Sequence, residues 1–383
     1  MAIFPKTRVV NHAEFQTTDD SRSARYGLPT TVTFCQRCVT SNQKPISAIE
    51  FQHTAASVKQ AIHLDETNIC DACRVTERKT SIDWQAREEQ LRALCDKHRS
   101  TDGSYDCLVP GSGGKDSFVA AHMLKYKYGM HPLTVTWAPH VYTEWGWRNF
   151  QRWIHAGFDN YLCTPNGRVH RLLTRLAVEN LFHPFQAFIL GQKSLAPKMA
   201  VLHQIPLVFY GENEAEYGNP MGDADSAIRQ WKYFSAPEKS SIHLGGTSIK
   251  DLTTDFGLEE VDLDPYLPAN PDGLQKLGIE VHYLGYYMNG TRKVAITTQL
   301  SMVALRHHLS EHQARTASTT QSMIELTTFT TTQLSLNMAL VEPHTMRPKK
   351  FDQEISTAKK VSRSCNALTA NFQLASQKKY LHI

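Results

Sequence analysis

The residue types with the clearest chemistry lie in a short glycine-rich run, Gly111–Ser117, with the sequence GSGGKDS. A strand pattern at 105–110 precedes this run, and a helical pattern at 118–128 follows it. In such a unit the backbone N–H groups and the positive end of the helix dipole point at one place, which favours an anion. Gly113 and Gly114 allow a phosphate to approach the backbone closely. The run therefore predicts a phosphate-binding loop, although it is neither a Walker A nor a GxGxxG sequence.

The side chains of the loop extend this prediction. Ser112 and Ser117 add hydroxyl donors, and Lys115 adds a compact positive charge for the phosphates. Asp116 stands at the start of the helix, where it either caps the helix or helps to hold Mg²⁺ near the phosphates. An ordinary glycine turn with an aspartate cap is the alternative interpretation.

Four cysteines form two CxxC pairs, Cys35/Cys38 and Cys70/Cys73. Two such pairs are a common way to place four thiolates around one tetrahedral Zn²⁺, and a site of four thiolates has no open position for catalysis. The spacing predicts a structural zinc site. Four unrelated reduced cysteines are the alternative. Cys163 stands alone, and we expect it to be a buried structural residue.

Other candidates follow the later predicted strands. Trp137 and His140 come after a strand at 133–137, where they either contact a ligand or form a packed aromatic cluster with Trp145 and Trp147. Lys193 follows a strand-like stretch and opens a predicted helix at 194–203. It either meets a phosphate or is a solvated lysine.

Acidic residues follow the predicted strand at 207–210. Glu212 and Glu216, with Asn213 between them, leave the carboxyl end of that strand. Carboxylates this close together repel one another unless a cation or a donor lies nearby. We expect them to bind a cation such as Mg²⁺.

The elements that must position these residues alternate between strands and helices from about residue 82 to residue 210. This order is typical of an α/β fold, in which a parallel sheet is covered by helices on both faces. Ligands of such sheets bind at the carboxyl ends of the strands. Apart from the four CxxC cysteines, the candidates described above follow predicted strands or strand-like stretches, so the pattern predicts one site at that edge.

The composition excludes several classes of protein. The chain has 383 residues, of which 41% are hydrophobic, and a formal net charge of +4. This mild charge argues against a nucleic-acid partner bound by electrostatics alone. No apolar run reaches the ~18 residues of a membrane span, and the N-terminus lacks a signal-peptide core. We therefore expect a cytoplasmic protein with no membrane partner and with reduced cysteines.

The last 96 residues differ in composition from the rest. Residues 288–383 contain one glycine and no tryptophan, and eleven of the twenty residues at 316–335 are Thr or Ser. A low-complexity, poorly ordered tail is one interpretation. Reading the back-translated codons of 324–332 one base out of phase gives acidic and aromatic residues, which favours a one-base frameshift near Met288.

Several runs of the chain closely resemble the N-acetyl sugar amidotransferases, a branch of the PP-loop ATP pyrophosphatases. The similarity spans about 34–287, includes both CxxC pairs, and is carried by Val109–His140, Asn149–Gly167, Phe182–Ala200 and Pro206–Pro220. It is greatest to the enzymes that form acetamidino derivatives of pseudaminic or legionaminic acid, sugars of bacterial surface glycans and flagella. The resemblance stops after Tyr287.

The resemblance implies an ATP-dependent reaction that converts an N-acetyl group into an acetamidino group. The amide oxygen attacks the α-phosphate of ATP and releases pyrophosphate, and ammonia then displaces AMP. It further implies that Ser112, Gly113, Gly114, Lys115 and Ser117 hold the pyrophosphate, with Asp116 toward Mg²⁺. The other implied site residues are Trp137, His140, Lys193, Glu212, Asn213 and Glu216. In this family a separate glutaminase and a cyclase-like protein supply the ammonia, so both are implied partners of the sugar-modifying chain.

The resemblance also divides the chain into four segments. These are an irregular N-terminus (1–33), a zinc-binding segment with the four cysteines (34–80), a PP-loop domain (81–287) and a tail foreign to the family (288–383). Two other functions remain open at this point. One is a tRNA-thiolating PP-loop enzyme, against which the missing catalytic cysteine pair and the mild charge argue. The other is a relic that binds ATP without turnover.

Overall fold

The computed structural model describes residues 27–211 and 225–289 of the chain. The strands are β1 (Cys107–Pro110), β2 (Pro132–Trp137), β3 (Asn160–Cys163), β4 (Leu207–Tyr210), β5 (His243–Leu244), β6 (Thr247–Ser248) and β7 (Glu280–Tyr283). Five of them form one sheet in the order β3-β2-β1-β4-β7, and every neighbouring pair is parallel. The short strands β5 and β6 form a separate antiparallel pair. The predicted α/β fold with a parallel sheet is confirmed.

Helices connect these strands. They are α1 (Asp71–Arg78), α2 (Trp84–His98), α3 (Lys115–His122), α4 (Glu144–His155), α5 (Gly167–Leu181), α6 (Gln186–Leu202), α7 (Ile249–Thr254), α8 (Glu260–Leu263), α9 (Pro271–Lys276) and α10 (Leu284–Tyr287). A π-helical turn, Met123–Lys127, continues α3. Within the two described ranges, no helix combines the length and the apolar character that crossing a bilayer requires.

Alternate residues of the central strand β1 pack on opposite faces of the sheet. Cys107 and Val109 belong to a core that contains side chains of α3 and α4, such as Phe118 and Trp153. Leu108 belongs to a second core, which contains α6 side chains such as Ala196 and Ala200. Side chains of a strand alternate between the two faces of the sheet. Because Cys107, Leu108 and Val109 all enter a core, β1 is covered on both faces.

The structure corrects two of the sequence-based element boundaries. Helix α6 begins at Gln186 rather than Ser194, so Lys193 lies inside the helix and does not open it. The strand-like stretch before Lys193 is helical because its apolar residues pack against α5 and β2. Helix α3 begins at Lys115, which places Asp116 in its first turn.

Strand β7 is an element that the sequence reading missed. It pairs along β4, with Val208 opposite Val281 and Tyr210 opposite Tyr283. The segment 227–229 lies on its outer side, where Arg229 N donates to Val281 O and Tyr283 N donates to Ala227 O. Of the predicted N-terminal segment (1–33) and tail (288–383), residues 1–26 and 290–383 lie outside the described residues. The four domain boundaries therefore stay predictions.

Candidate functional site

The predicted phosphate loop leaves the carboxyl end of β1, the middle strand of the sheet. The N–H of Gly111 donates to Val135 O at 2.9 Å, and Thr136 Oγ1 donates to Gly111 O at 2.6 Å. A Cβ on Gly111 would lie 2.2 Å from Cβ of Ser117. The loop is thus fixed to β2 and folded tightly onto the first turn of α3.

Gly113 is required by both its backbone conformation and its surroundings. Its φ is +79°, in the region that favours glycine, and a Cβ there would lie 2.6 Å from the carbonyl oxygen of Asn149. That carbonyl belongs to α4, so the loop packs directly on the backbone of a neighbouring helix. The geometry explains the glycine by its packing on α4, and the close approach of a phosphate to this backbone stays a prediction.

The N-terminus of α3 differs from those of α2, α4 and α5 in its cap, and resembles that of α6, whose N-cap Phe185 also makes no side-chain cap hydrogen bond. In α2, α4 and α5 the N-cap side chains of Asp83, Thr143 and Asn166 accept from a first-turn N–H. The N-cap of α3 is Gly114, which has no side chain to do so, and its carbonyl accepts from Ser117 Oγ at 3.1 Å. No N-cap side chain therefore competes with an anion for the first-turn N–H groups of α3.

The chain that leaves β4 passes against the same turn. A Cβ on Gly211 would lie 2.4 Å from the backbone oxygen of Asp116. Gly211 is followed in sequence by the predicted ligands Glu212, Asn213 and Glu216, all three of which lie outside the described residues. The structure places the backbone of Lys115 at the start of α3, and it does not describe the side chain of that lysine.

Trp137 ends β2 and is buried, with 4% of its surface exposed. Its ring lies against Gly191 of α6, where an added Cβ would be 2.1 Å from the ring. The buried indole Nε1 of Trp137 has no hydrogen-bond acceptor among the described residues. A buried donor without an acceptor costs about 1–3 kcal/mol, so a donor in this position at a sheet edge is a candidate ligand contact.

His140 lies beyond Trp137, and both of its ring nitrogens have partners. Nε2 is 3.1 Å from Pro184 O, and Nδ1 is 2.6 Å from His170 Nε2. Its ring also stacks on Phe185. The aromatic packing that we considered for Trp137 and His140 is present, but with partners from α5 and α6. Trp147 instead packs with Tyr142 and Phe150.

Lys193 lies on α6 at the contact with the N-terminal segment. Its Nζ donates to Ala48 O at 3.4 Å. The neighbouring carboxylate of Glu50 is buried, which opposes its ionisation, but His183, Lys193 and Lys59 outweigh burial and lower the pKa of Glu50 to about 2. Lys193 thus helps to keep a buried carboxylate charged, and whether it also meets a phosphate stays a prediction.

The four predicted metal ligands come together. The sulfur atoms of Cys35, Cys38, Cys70 and Cys73 all lie within 4.8 Å of one another, and all four residues are buried. The N–H of Cys70 donates to Sγ of Cys35 at 3.3 Å. Four buried sulfurs in one cluster fit a structural Zn²⁺ site.

The cysteine segment docks on α6 through residues that the sequence reading missed. Gln186, which is fully buried, donates through Nε2 to Glu50 O at 2.8 Å and accepts through Oε1 from Gly245 N at 2.9 Å. Phe51 enters the core that contains Trp137. The short sequence EFQ at Glu50–Gln52 contains no motif that predicts these contacts, so only the three-dimensional structure shows them. Cys163, which we expected to be buried, is only half-buried, and its partial burial raises the pKa of its thiol.

Comparisons with known proteins give little further information. The chain matches no protein-family profile. It is 30% identical over 83 residues to an uncharacterised protein of Methanocaldococcus jannaschii, a match that covers 22% of this chain and 29% of that protein. The chain therefore spans less than a third of the length of the curated relative it matches.

Among solved structures, the NAD+ synthetase of Burkholderia pseudomallei is similar at 17% identity with a TM-score of 0.25. The match covers 64% of this chain and 97% of that chain. A TM-score this low supports no conclusion about function.

Proposed function

We propose that the chain is an ATP-dependent amidotransferase that converts an N-acetyl group of a nucleotide-activated bacterial surface sugar into an acetamidino group. The observation that carries this proposal is the loop Gly111–Ser117. It joins the middle strand to a glycine-capped helix, and it is packed so closely that Gly111 and Gly113 cannot carry a side chain. Such a loop is suited to the phosphates of a nucleotide.

The reaction would use this loop mainly for positioning and charge stabilisation. An amide carbon resists ammonia because its oxygen is a poor leaving group. Attack of the amide oxygen on the α-phosphate breaks the bond to pyrophosphate and leaves an adenylated imidate. Ammonia then adds to the imidate carbon, AMP leaves, and loss of a proton gives the amidine. The loop would stabilise the departing pyrophosphate, whose charge increases as the bond breaks.

The other candidates have roles in the same proposal. At the end of β2, Trp137 presents a buried N–H that has no acceptor within 27–211 and 225–289, which supports an adenine contact there. Asp116 is a candidate Mg²⁺ ligand, because its backbone touches Gly211 and the acidic run Glu212–Glu216 follows that glycine in sequence. Nothing in this chain resembles a glutaminase, so a separate glutaminase with a cyclase-like companion would supply ammonia.

An assay of AMP formation tests the proposal. Purified chain with ATP, Mg²⁺ and a panel of nucleotide-linked sugars carrying N-acetyl groups should form AMP only when an ammonium salt is also present. Formation of ADP, or AMP formation that is independent of ammonia and sugar, would contradict it. Stimulation by tRNA would instead favour a thiolating enzyme.

A pair of matched variants separates this activity from a contaminating ATPase. Asp116→Asn removes the proposed metal ligand and should lower AMP formation by about 100-fold. Asp102→Asn is the control, because Asp102 lies in an exposed turn before β1. This turn precedes the strand, whereas the proposed site follows it. We expect the control variant to keep wild-type activity.

A further inference from the structure

Three hydrogen bonds form a chain across the edge of the sheet where the carboxyl ends of the strands lie. His140 Nε2 is 3.1 Å from Pro184 O, and His140 Nδ1 is 2.6 Å from His170 Nε2. His170 Nδ1 is in turn 3.0 Å from the hydroxyl of Tyr266. The members come from the loop after β2, the turn before α6, helix α5 and a 3-10 turn after α8.

The carbonyl group at one end fixes the direction of every bond in this chain. A carbonyl oxygen only accepts, so Nε2 of His140 carries a proton and donates to Pro184. When His140 is neutral, its Nδ1 accepts from Nε2–H of His170. Nδ1 of His170 then accepts the hydroxyl proton of Tyr266. Burial favours this neutral state, since it lowers the pKa of His140 and lowers that of His170 to about 4.

The chain ends on the ring that packs against Trp137. Tyr266 is 1% exposed, and its ring meets Trp137 edge-on with a centroid distance of 5.4 Å. Trp137 also lies against Gly191 of α6. The orientation of the indole, and hence of its Nε1–H without an acceptor, is therefore set between Tyr266 and α6.

We propose that His170 and Tyr266 are positioning residues for nucleotide binding, because they hold His140 and Trp137 so that the indole N–H of Trp137 meets an acceptor of the purine base. This inference rests on the proposed function, since it needs an adenine nucleotide at this edge. It assigns a role to two residues that no motif identifies. Both ring nitrogens of His140 already have partners, so His140 acts through the orientation of its ring and not by bonding to the nucleotide.

A conservative pair of variants tests the proposal. Tyr266→Phe keeps the ring against Trp137 and removes only the hydroxyl donor. The matched control is Tyr287→Phe, because Tyr287 is also buried and its hydroxyl lies 2.8 Å from Nδ1 of His282. His282 belongs to β7 and Tyr287 to α10. Strand β7 is the outer strand of the sheet on the side opposite β3. Both variants lose one buried His–Tyr hydrogen bond, so a loss of stability alone affects them equally.

Three measurements on the full chain are needed. In ¹⁵N-histidine-labelled protein, His140 and His170 should both carry their proton on Nε2, and neither should titrate near pH 6.5. The Kd of α,β-methylene-ATP, a nucleotide that cannot be cleaved between its α- and β-phosphates, should rise about three- to tenfold in Tyr266→Phe and stay unchanged in Tyr287→Phe. The Trp137 indole N–H signal should shift on nucleotide addition in the wild type and shift less in Tyr266→Phe.

Several results would overturn the inference. A proton on Nδ1 of His140, or titration of either ring near pH 6.5, would contradict the hydrogen-bond chain. Equal nucleotide affinity of Tyr266→Phe and wild type would contradict the positioning role. A wild-type chain that binds no nucleotide while its histidines carry the expected protons would overturn the proposed function, and with it the role assigned to the chain.

Discussion

At the scale of single residues, three glycines constrain the backbone around the proposed site. Gly113 has a positive φ and faces the backbone of α4, Gly211 faces the first turn of α3, and Gly191 faces the ring of Trp137. None of these positions has room for a Cβ. They fix the phosphate loop, the exit of β4 and the contact of α6 with the end of β2, all at one edge of the sheet.

Gly113→Ala should abolish nucleotide binding while the fold is retained. The added Cβ would lie 2.6 Å from the carbonyl oxygen of Asn149, so the loop must move away from α4. A displacement of about 1 Å at a reacting phosphate lowers activity by about 100-fold. Isothermal titration with ATP and circular dichroism measure the two effects separately.

Gly257→Ala is the control for backbone strain in that experiment. Gly257 also has a positive φ, +66°, but a Cβ there would meet no atom within 4 Å. We expect this variant to lose about 1–2 kcal/mol of stability and to bind ATP normally. If Gly113→Ala binds ATP as well as Gly257→Ala does, the loop is not the phosphate site.

At the scale of elements, the cysteine segment is tied to the helix that begins at the proposed site. Gln186 stands at the first position of α6 and bonds to Glu50 O, while Lys193 reaches Ala48 O further along the helix. The carboxylate of Glu50 lies 3.6 Å from Nε2 of His183, in the turn before α6. A zinc ion that stiffens the segment would therefore also support the N-terminal end of α6.

Removal of zinc should destabilise the chain and loosen this contact. We expect about one zinc per chain, and Cys70→Ser should cost about 3 kcal/mol, or about 6–12 °C in Tm. Hydrogen exchange at 48–53 should accelerate in parallel. Metal analysis, calorimetry and exchange measured by mass spectrometry check these three effects.

Cys163→Ser provides the control for the zinc prediction. Cys163 is half-buried at the end of β3 and lies outside the cluster of four sulfurs. This variant should retain the metal and the slow exchange at 48–53. A wild-type chain that contains no zinc, or a Cys70→Ser chain that still binds it, would contradict the proposed site.

The amino-acid sequence predicted the elements whose signals are local. The strand at Leu207–Tyr210 and the glycine loop between β1 and α3 were predicted from neighbouring residues, and the structure has both elements there. The CxxC pairs predict which side chains bind the same metal ion, and their sulfur atoms lie within 4.8 Å of one another. In each of these cases a few neighbouring residues contain the whole signal.

The sequence could not predict the features that depend on distant packing. The stretch from Phe185 to Leu190 is apolar in every position but one and reads as a strand, yet it is helical because α6 is buried between α5 and the sheet. Apolar periodicity alone does not separate a buried helix from a buried strand. The hydrogen bond between His170 and Tyr266 joins residues 96 positions apart. No spacing rule connects two such residues.

At the scale of the whole molecule, the parallel sheet gathers the site from distant parts of the sequence. The loop after β1, Trp137 at the end of β2 and Gly211 after β4 lie at the same edge because adjacent parallel strands end there. The cysteine segment docks beside this edge through α6. Phosphate, base and metal contacts of one nucleotide would thus come from three strands, and the proposed reaction requires this convergence.

An isotope-transfer measurement tests the central claim most directly. The amide oxygen of the N-acetyl group is labelled with ¹⁸O, and the products formed with ATP and ammonia are analysed by mass spectrometry. Because the amide oxygen is proposed to attack the α-phosphate, each AMP formed should contain one ¹⁸O atom. Label that appears in pyrophosphate, or that stays in the sugar while AMP accumulates, would contradict the account.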